Sequence, residues 1–261
     1  MREETRYAAY AAAAEAVNAA GGLISFWDFQ EQAGERRKAK GPYPYELTEG
    51  GGAVERTDDG IFGPYSADLK FGDWFRLPRA DCPALDIHGP DAKLTVAAWI
   101  NWADIESKGC QAVAGIWDES RRKRQYCLFL DLRIWDSRSQ ACGHVSSVGG
   151  PTPGYKYCMT SAIGQTPLSK AEWHFVVFTY DGRQAKVYVD GVLDERETYN
   201  PYDYPEGLYD GGPDGADFTV GAVDRSGEIG NFYTGLLGGL AVYNRALSAG
   251  EVADLHNRTM K

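Results

Sequence analysis

Residues 172–194 constrain the fold of this chain more than any other stretch. Two short runs of β-branched and aromatic residues, 175–180 and 186–189, are each closed by Asp-Gly, at Asp181-Gly182 and Asp190-Gly191. Asp-Gly supplies the positive φ that two-residue hairpin turns need, so the spacing predicts three consecutive antiparallel strands. Strand patterns recur on both sides, at residues 23–29, 70–77, 94–102, 112–117, 126–135, 143–148, 157–162, 218–223 and 235–243. In residues 94–102, Leu94, Val96, Ala98, Ile100 and Trp102 share one face and Thr95, Ala97, Trp99 and Asn101 the other. Bulk on both faces places that strand in the middle of a packed sheet. Thirty-one glycines and twelve prolines supply turns, and the Pro/Gly-rich residues 41–60 read as a long surface loop.

Two helices flank the strands. Residues 3–20 are dominated by alanine and stopped by Gly21-Gly22, where a left-handed cap would sit. Ser248 and Glu251 match a capping box, which predicts a final helix over about 249–257 with Val252 and Leu255 toward the core. No internal repeat or second core is visible. The expected organisation is a helical extension at residues 1–22 and one domain at 23–261. The thin apolar content of the first helix suits an appendage on the main domain or a device for oligomerisation.

A net charge of −10 argues against a nucleic-acid partner, because phosphate binding needs a basic face. The dense basic run at residues 121–124 lies beside Asp118 and Glu119 and reads as a solvated loop. Cys82, Cys110, Cys127, Cys142 and Cys158 make an odd number without C-x-x-C spacing, so neither a zinc site nor a full disulfide framework is expected. A single bridge among Cys127, Cys142 and Cys158 is compatible with export. No secretory signal is visible, and no apolar run approaches the roughly 18 residues of a membrane span. The expectation is a soluble protein with no membrane partner, either cytoplasmic or exported with its leader missing from this chain.

In this order the elements resemble the concanavalin A-like lectin/glucanase superfamily, and within it the laminin G-like jelly roll. The likeness covers about residues 23–259. It rests on the opening strand at 23–29, on residues 69–78, and on Leu94-Thr-Val-Ala-Ala-Trp99, which is similar to the family's F-T-V-S-A-W. It rests also on the Trp-His hairpin at 172–193 and on the closing run from Gly235 to Ser248. The resemblance implies an all-β fold, a two-sheet antiparallel jelly-roll sandwich, with a ligand on the concave sheet. It also implies a structural calcium ion. Here the acids of the family's closing I-D-E-V are replaced by Gly238 and Gly239. Asp203, Asp210, Asp214 and Asp217 remain as calcium candidates, without the spacing of a known calcium loop.

The glucanase carboxylate signature E-x-D-x-x-E is absent, and Glu195 and Glu197 imitate it only with Arg196 between them on a solvated strand. Asp131 and Arg133, two apart in an otherwise apolar strand, are expected to share a face toward a groove. Residues 141–157 are a longer excursion than a jelly roll needs. They gather His144, Ser146, Ser147, Tyr155, Lys156 and Tyr157 about a Gly-Gly-Pro-Thr-Pro-Gly turn, and long ordered loops are where binding groups concentrate. His144 is the best-placed titratable group, whereas His174 belongs to the Trp-His hairpin and reads as framework. Sugar sites need flat apolar faces beside directional polar groups, and Trp117, Trp135, Tyr155, Tyr199, Tyr202 and Tyr204 lie in or beside expected loops.

The expected function is therefore a lectin-like protein that binds an oligo- or polysaccharide through these rings with Asp131, Arg133 and His144. An alternative is a polysaccharide-degrading enzyme, a lyase before a hydrolase, with Arg133, His144 and Tyr155 or Tyr157 as the cation and the proton-transfer groups. The lyase strand R-x-E-L-R and triplet Q-I-H are both missing. A third reading is a protein-interaction module, since fold alone does not separate the three.

Overall fold

A computed structural model describes residues 3–105, 109–225 and 227–260. Among these residues the chain forms two large antiparallel sheets packed face to face, a two-stranded hairpin and two α-helices. The nine-stranded sheet runs Val192–Leu193, Gln184–Val189, Trp173–Tyr180, Leu94–Trp102, Gly235–Tyr243, Ser66–Leu69, Arg56–Thr57; Leu23–Trp27 also pairs with Gly235–Tyr243, and Tyr202–Asp203 with Gln184–Val189. The eight-stranded sheet runs Ser161–Ile163, Ala141–Val145, Tyr126–Leu130, Gln111–Ile116, Phe218–Val220, Phe75–Leu77, Glu46–Glu49, Arg37–Lys38. This is the jelly-roll sandwich expected from the sequence.

The double hairpin forms as the Asp-Gly pairs dictate. Gly182 has φ 90°, and Asp190 and Gly191 have φ 49° and 83°. Asp181 also accepts the backbone N–H of Arg183 and Gln184 at 2.9 and 2.7 Å, which closes the first turn. Leu94–Trp102 lies between Trp173–Tyr180 and Gly235–Tyr243, and both of its faces are buried. Val96, Ala98, Ile100 and Trp102 meet Val113, Leu128 and Phe218 of the other sheet in the main core. Ala97 and Trp99 join Phe175, Val177, Ala241 and Tyr243 in a second core on the outer face of the nine-stranded sheet.

Both helices cover that second core. Glu3–Ala19 contributes Ala13, Ala16 and Val17, and Ala249–Thr259 contributes Val252 and Leu255. Small residues explain the thin apolar content of the first helix, because they let its backbone approach until the Tyr243 hydroxyl reaches Val17 O at 3.3 Å. The capping box is complete: Ser248 accepts from Glu251 N while the Glu251 carboxylate accepts from Ser248 N at 2.8 Å.

Several expected elements differ. Residues 41–60 contain the strands Glu46–Glu49 and Arg56–Thr57. Of the strand expected at 70–77 only Phe75–Leu77 forms; residues 70–74 turn the chain there from Ser66–Leu69 on the other sheet. The strand expected at 126–135 stops at Leu130. Asp131, Arg133, Trp135 and Asp136 all take positive φ, between 51° and 59°. The basic run is not merely solvated either: Arg124 is buried, with Nη1 on Gly149 O at 3.3 Å.

Candidate functional site

The two faces of the sandwich are treated differently. Helices seal the outer face of the nine-stranded sheet. Loops only partly cover the outer face of the eight-stranded sheet. One half of that face carries a third core, in which Ala112, Phe129, Cys142 and Ile163 lie under Leu132, Cys158 and Val223. The other half is open, and a cleft of about 590 Å³ lies there over Phe75–Leu77 and Phe218–Val220. Two smaller clefts, about 470 and 410 Å³, flank Lys40 at the opposite edge and contain no tryptophan.

Strand alternation builds the floor of the large cleft. Phe75, Leu77, Phe218 and Val220 point into the main core, so Arg76 and Thr219 between them point outward, paired across the sheet. Trp74 stands on the turn before Phe75. Its ring lies so close to the 50–51 backbone that a Cβ at Gly50 would sit 2.2 Å from it. Trp117, only 2% exposed, closes the other side. The walls are ion pairs. Arg76 Nε donates to Asp217 Oδ2 at 2.6 Å, and Asp217 Oδ1 accepts Arg79 N at 2.8 Å. Across the cleft, Asp118 Oδ1 accepts Arg121 N at 2.9 Å and Oδ2 accepts Arg121 Nε at 2.6 Å.

Two groups in this lining lack a hydrogen bond: Arg79 Nη2, which is ion-paired with Asp86, and the Thr219 hydroxyl. Thr219, 6% exposed, has a buried hydroxyl oxygen with no hydrogen-bond partner in the protein. A buried hydroxyl without a partner costs about 1–3 kcal/mol, and this one is turned away from the cleft surface. The cleft thus offers one large, partly exposed ring, Trp74, and fixed donors and acceptors.

The residues expected at the site are distributed differently. Trp117 is in the cleft. His144 is beneath the loops: it is 4% exposed, its ring rests 4.7 Å from that of Trp117, and Nδ1 meets Thr160 O at 2.9 Å. Buried to this extent, the imidazole presents little surface to an external substrate. Asp131 and Arg133 do not share a strand face. They lie in the left-handed loop after Leu130, where Arg133 Nε and Nη2 meet Asp131 Oδ2 at 3.0 and 2.8 Å. Trp135 gathers Tyr199, stacked at 6.0 Å, and Tyr155, edge-on at 5.9 Å. In that cluster Tyr199 covers one face of Trp135, and Tyr155 stays half exposed. Tyr202 and Tyr204 stack at 6.3 Å, and the Tyr204 hydroxyl is held by Ser147 N and Ser147 Oγ, each at 2.8 Å. Tyr157 is exposed on the loop. The groups proposed for a lyase do not converge.

The four calcium candidates do not form a metal site either. Asp214 and Asp217 both line the cleft, but Asp217 is taken up by Arg76 and Arg79, while Asp203 accepts from Gln184 Nε2 at 2.7 Å and Asp210 from Gly212 N at 2.8 Å. Among the described residues no group of three or more His, Cys, Asp or Glu side chains could hold a metal. Where the family pattern has acids, a Cβ at Gly238 would lie 2.9 Å from Trp173 and one at Gly239 2.5 Å from Phe62. The packing therefore leaves no room for those ligands, and a calcium site does not fit here.

A hydrogen-bonded chain at Ser169, His174 and Asp190 has the connectivity of a hydrolytic relay. Ser169 Oγ and His174 Nε2 are 2.8 Å apart, as are His174 Nδ1 and Asp190 Oδ2. The proton count excludes that role. Ser169 has one hydroxyl proton and gives it to Glu172 Oε2 at 2.6 Å, so His174 Nε2 must donate to Ser169. Nδ1 must donate to the Asp190 carboxylate, which makes His174 an imidazolium. The Asp190 hydrogen bond raises its pKa, opposed by burial and aided by the Asp190 and Glu172 charges. His174 is framework.

The laminin G-like family model of the concanavalin A-like lectin/glucanases superfamily matches residues 75–253. The chain belongs to that superfamily. A search of curated protein sequences finds no match. Among solved structures, domain 4 of AbnA, a GH43 extracellular arabinanase from Geobacillus stearothermophilus in complex with arabinotriose, is similar with a TM-score of 0.59 at 17% identity. That likeness covers 90% of this chain and 98% of that domain. Trypanosoma rangeli sialidase in complex with the inhibitor DANA gives 0.58 at 16%, covering 92% of this chain and 33% of the sialidase. The receptor binding domain of botulinum neurotoxin C/D mosaic serotype gives 0.56 at 14%, covering 90% and 51%. At these identities the likeness shows the fold alone.

Proposed function

We propose that this protein binds a neutral oligo- or polysaccharide in the cleft between Trp74 and Arg121. The observation that carries the reading is the partly exposed Trp74 ring in a cleft walled by the fixed Arg76–Asp217 and Arg121–Asp118 pairs. Trp74 would take the C–H face of a sugar ring. Arg121 and Asp217 would align its hydroxyls. Charge supports a neutral ligand: three arginines in the lining face four aspartates, so an anionic glycan would meet no excess of positive charge. The arabinotriose bound by the arabinanase domain is in keeping with a sugar ligand of that kind.

Binding is favoured over catalysis by the same ion pairs. Both oxygens of Asp118 and of Asp217 accept N–H donors, the bonding of fixed acceptors and not of a proton-donating acid. Retardation in affinity gels across neutral and acidic polysaccharides tests the reading. Neutral glycans should retard the protein, and Trp74→Ala should weaken the best of them roughly tenfold, about the contribution of one aromatic face. Silence across all neutral glycans, or retention indifferent to Trp74→Ala, would overturn it.

A further inference from the structure

Resting on the reading of the cleft as a sugar site, we infer that Phe71 and Phe232 extend it, so that a neutral glycan chain lies across both the Trp74 and the Phe71 rings. Phe71 is 80% exposed, the highest value of any large apolar side chain among the described residues. Its ring meets that of Phe232 edge-on, with the centroids 5.0 Å apart. Phe232 is itself partly exposed. An exposed apolar pair beside a groove marks a contact surface more often than an accident of folding.

The chain path puts this pair at the end of the cleft. Phe71 precedes Trp74 by three residues and Phe232 follows Ile229 by three, and Trp74 and Ile229 both line the cleft. Three residues span at most about 11 Å, so each phenylalanine is close to a lining residue. Gly221 ties the two stretches together directly after the floor strand Phe218–Val220. Its carbonyl accepts Tyr233 N at 2.8 Å, and a Cβ on it would lie 3.5 Å from Trp74 Cα. The Phe71–Phe232 contact therefore joins two cleft-lining segments where the floor strand ends.

One built turn carries both Phe71 and Trp74. Asp73 Oδ2 accepts Lys70 N at 2.8 Å, and Asp73 N donates to Lys70 O at 3.0 Å. Gly72 takes φ 100°, and the 50–52 loop packs so closely on its carbonyl that a Cβ at Gly51 would overlap it. The turn thus sets the spacing between the two rings. Charge selects the partner. Lys70 Nζ pairs with Asp68 Oδ2 at 2.6 Å, and Asp73 adds a second carboxylate. The turn therefore has no spare positive charge for an anionic bilayer or an acidic glycan. A neutral chain needs none, because the C–H faces of its sugars cover aromatic rings while its hydroxyls stay in water.

Calorimetric titration of the whole chain tests this, with linear arabinan, xylan, mannan and β-glucan and with oligomers cut from each. Phe71→Ala changes an exposed position and should leave the fold intact. It should weaken the longest bound chains roughly three- to tenfold, the worth of one aromatic face. That loss should shrink with chain length and vanish for the shortest oligomer that binds, whereas Trp74→Ala should weaken every length. Phe71→Tyr, which keeps the ring, should bind like wild type. If Trp74→Ala weakens binding and Phe71→Ala does so at no length, the cleft reading stands and the extension falls. If none of the four polymers binds, both fall. A mass in solution that rises with protein concentration, but not in Phe71→Ala, would assign the pair to a second copy of this chain and overturn the proposal.

Discussion

His174 illustrates how one residue couples folding to pH. Its imidazolium bridges the 169–172 turn to the Asp190 hairpin, and Asp190 also accepts Phe175 N at 2.9 Å. The folded pKa of His174 lies above its ordinary 6.5, so its stabilisation is full below 6.5 and is lost as pH rises through the folded value. For Asp190, burial pulls upward but the His174 and Phe175 hydrogen bonds prevail and lower it. Its stabilisation is present above 3.8 and is lost as pH falls through the folded value. The pair is therefore strongest between those limits. Thermal midpoints of wild type and His174→Gln should differ most near pH 5–6 and converge above neutrality; a difference that grows toward pH 9 would contradict the imidazolium assignment. The Trp-His motif announced a structural residue, yet the Ser169 and Glu172 contacts that determine its charge were hidden by the generic look of the turn.

Single elements are held to their places by close approach as much as by pattern. Gly143 sits mid-strand on Ala141–Val145, and a Cβ there would lie 2.1 Å from Phe178 Cδ2 of the opposite sheet. Gly143→Ala should cost about 1–3 kcal/mol, the usual penalty of overpacking, read as a lower denaturant midpoint with unchanged slope. A neutral outcome would mean that Phe178 has room to turn. The elements most legible in the sequence were those with local signals: the Asp-Gly turns, the alternation in Leu94–Trp102 and the Ser248–Glu251 capping box. Residues 131–135 misled because Leu132 and Ile134 alternate like a strand. They are apolar for another reason, as they pack onto the third core from a loop in left-handed conformation. Burial shaped the pattern there, and pairing did not.

The whole molecule is a sandwich with one sealed outer face and one partly open, and its candidate binding cleft exists only at that scale. Trp74, Asp118 and Thr219 are far apart in the chain and meet because Gln111–Ile116, Phe218–Val220 and Phe75–Leu77 are neighbours in one sheet. No local spacing could announce them, whereas Tyr199, Tyr202 and Tyr204 stand out by sequence proximity alone. The sealed face carries its own prediction. Removing residues 1–21 strips Ala13, Ala16 and Val17 from the second core and should lower stability by about 2–4 kcal/mol through exposed apolar surface, with new binding of a hydrophobic dye. An unaltered thermal midpoint would show the helix to be dispensable. On the open face, Trp117 has a double position, lining the cleft and lying tilted against His144 at 4.7 Å. A guest that pushed this indole aside would have to move a buried imidazole with it, so that wall is held in advance and the cleft meets its ligand at a preset width, which spares the cost of ordering a side chain on binding.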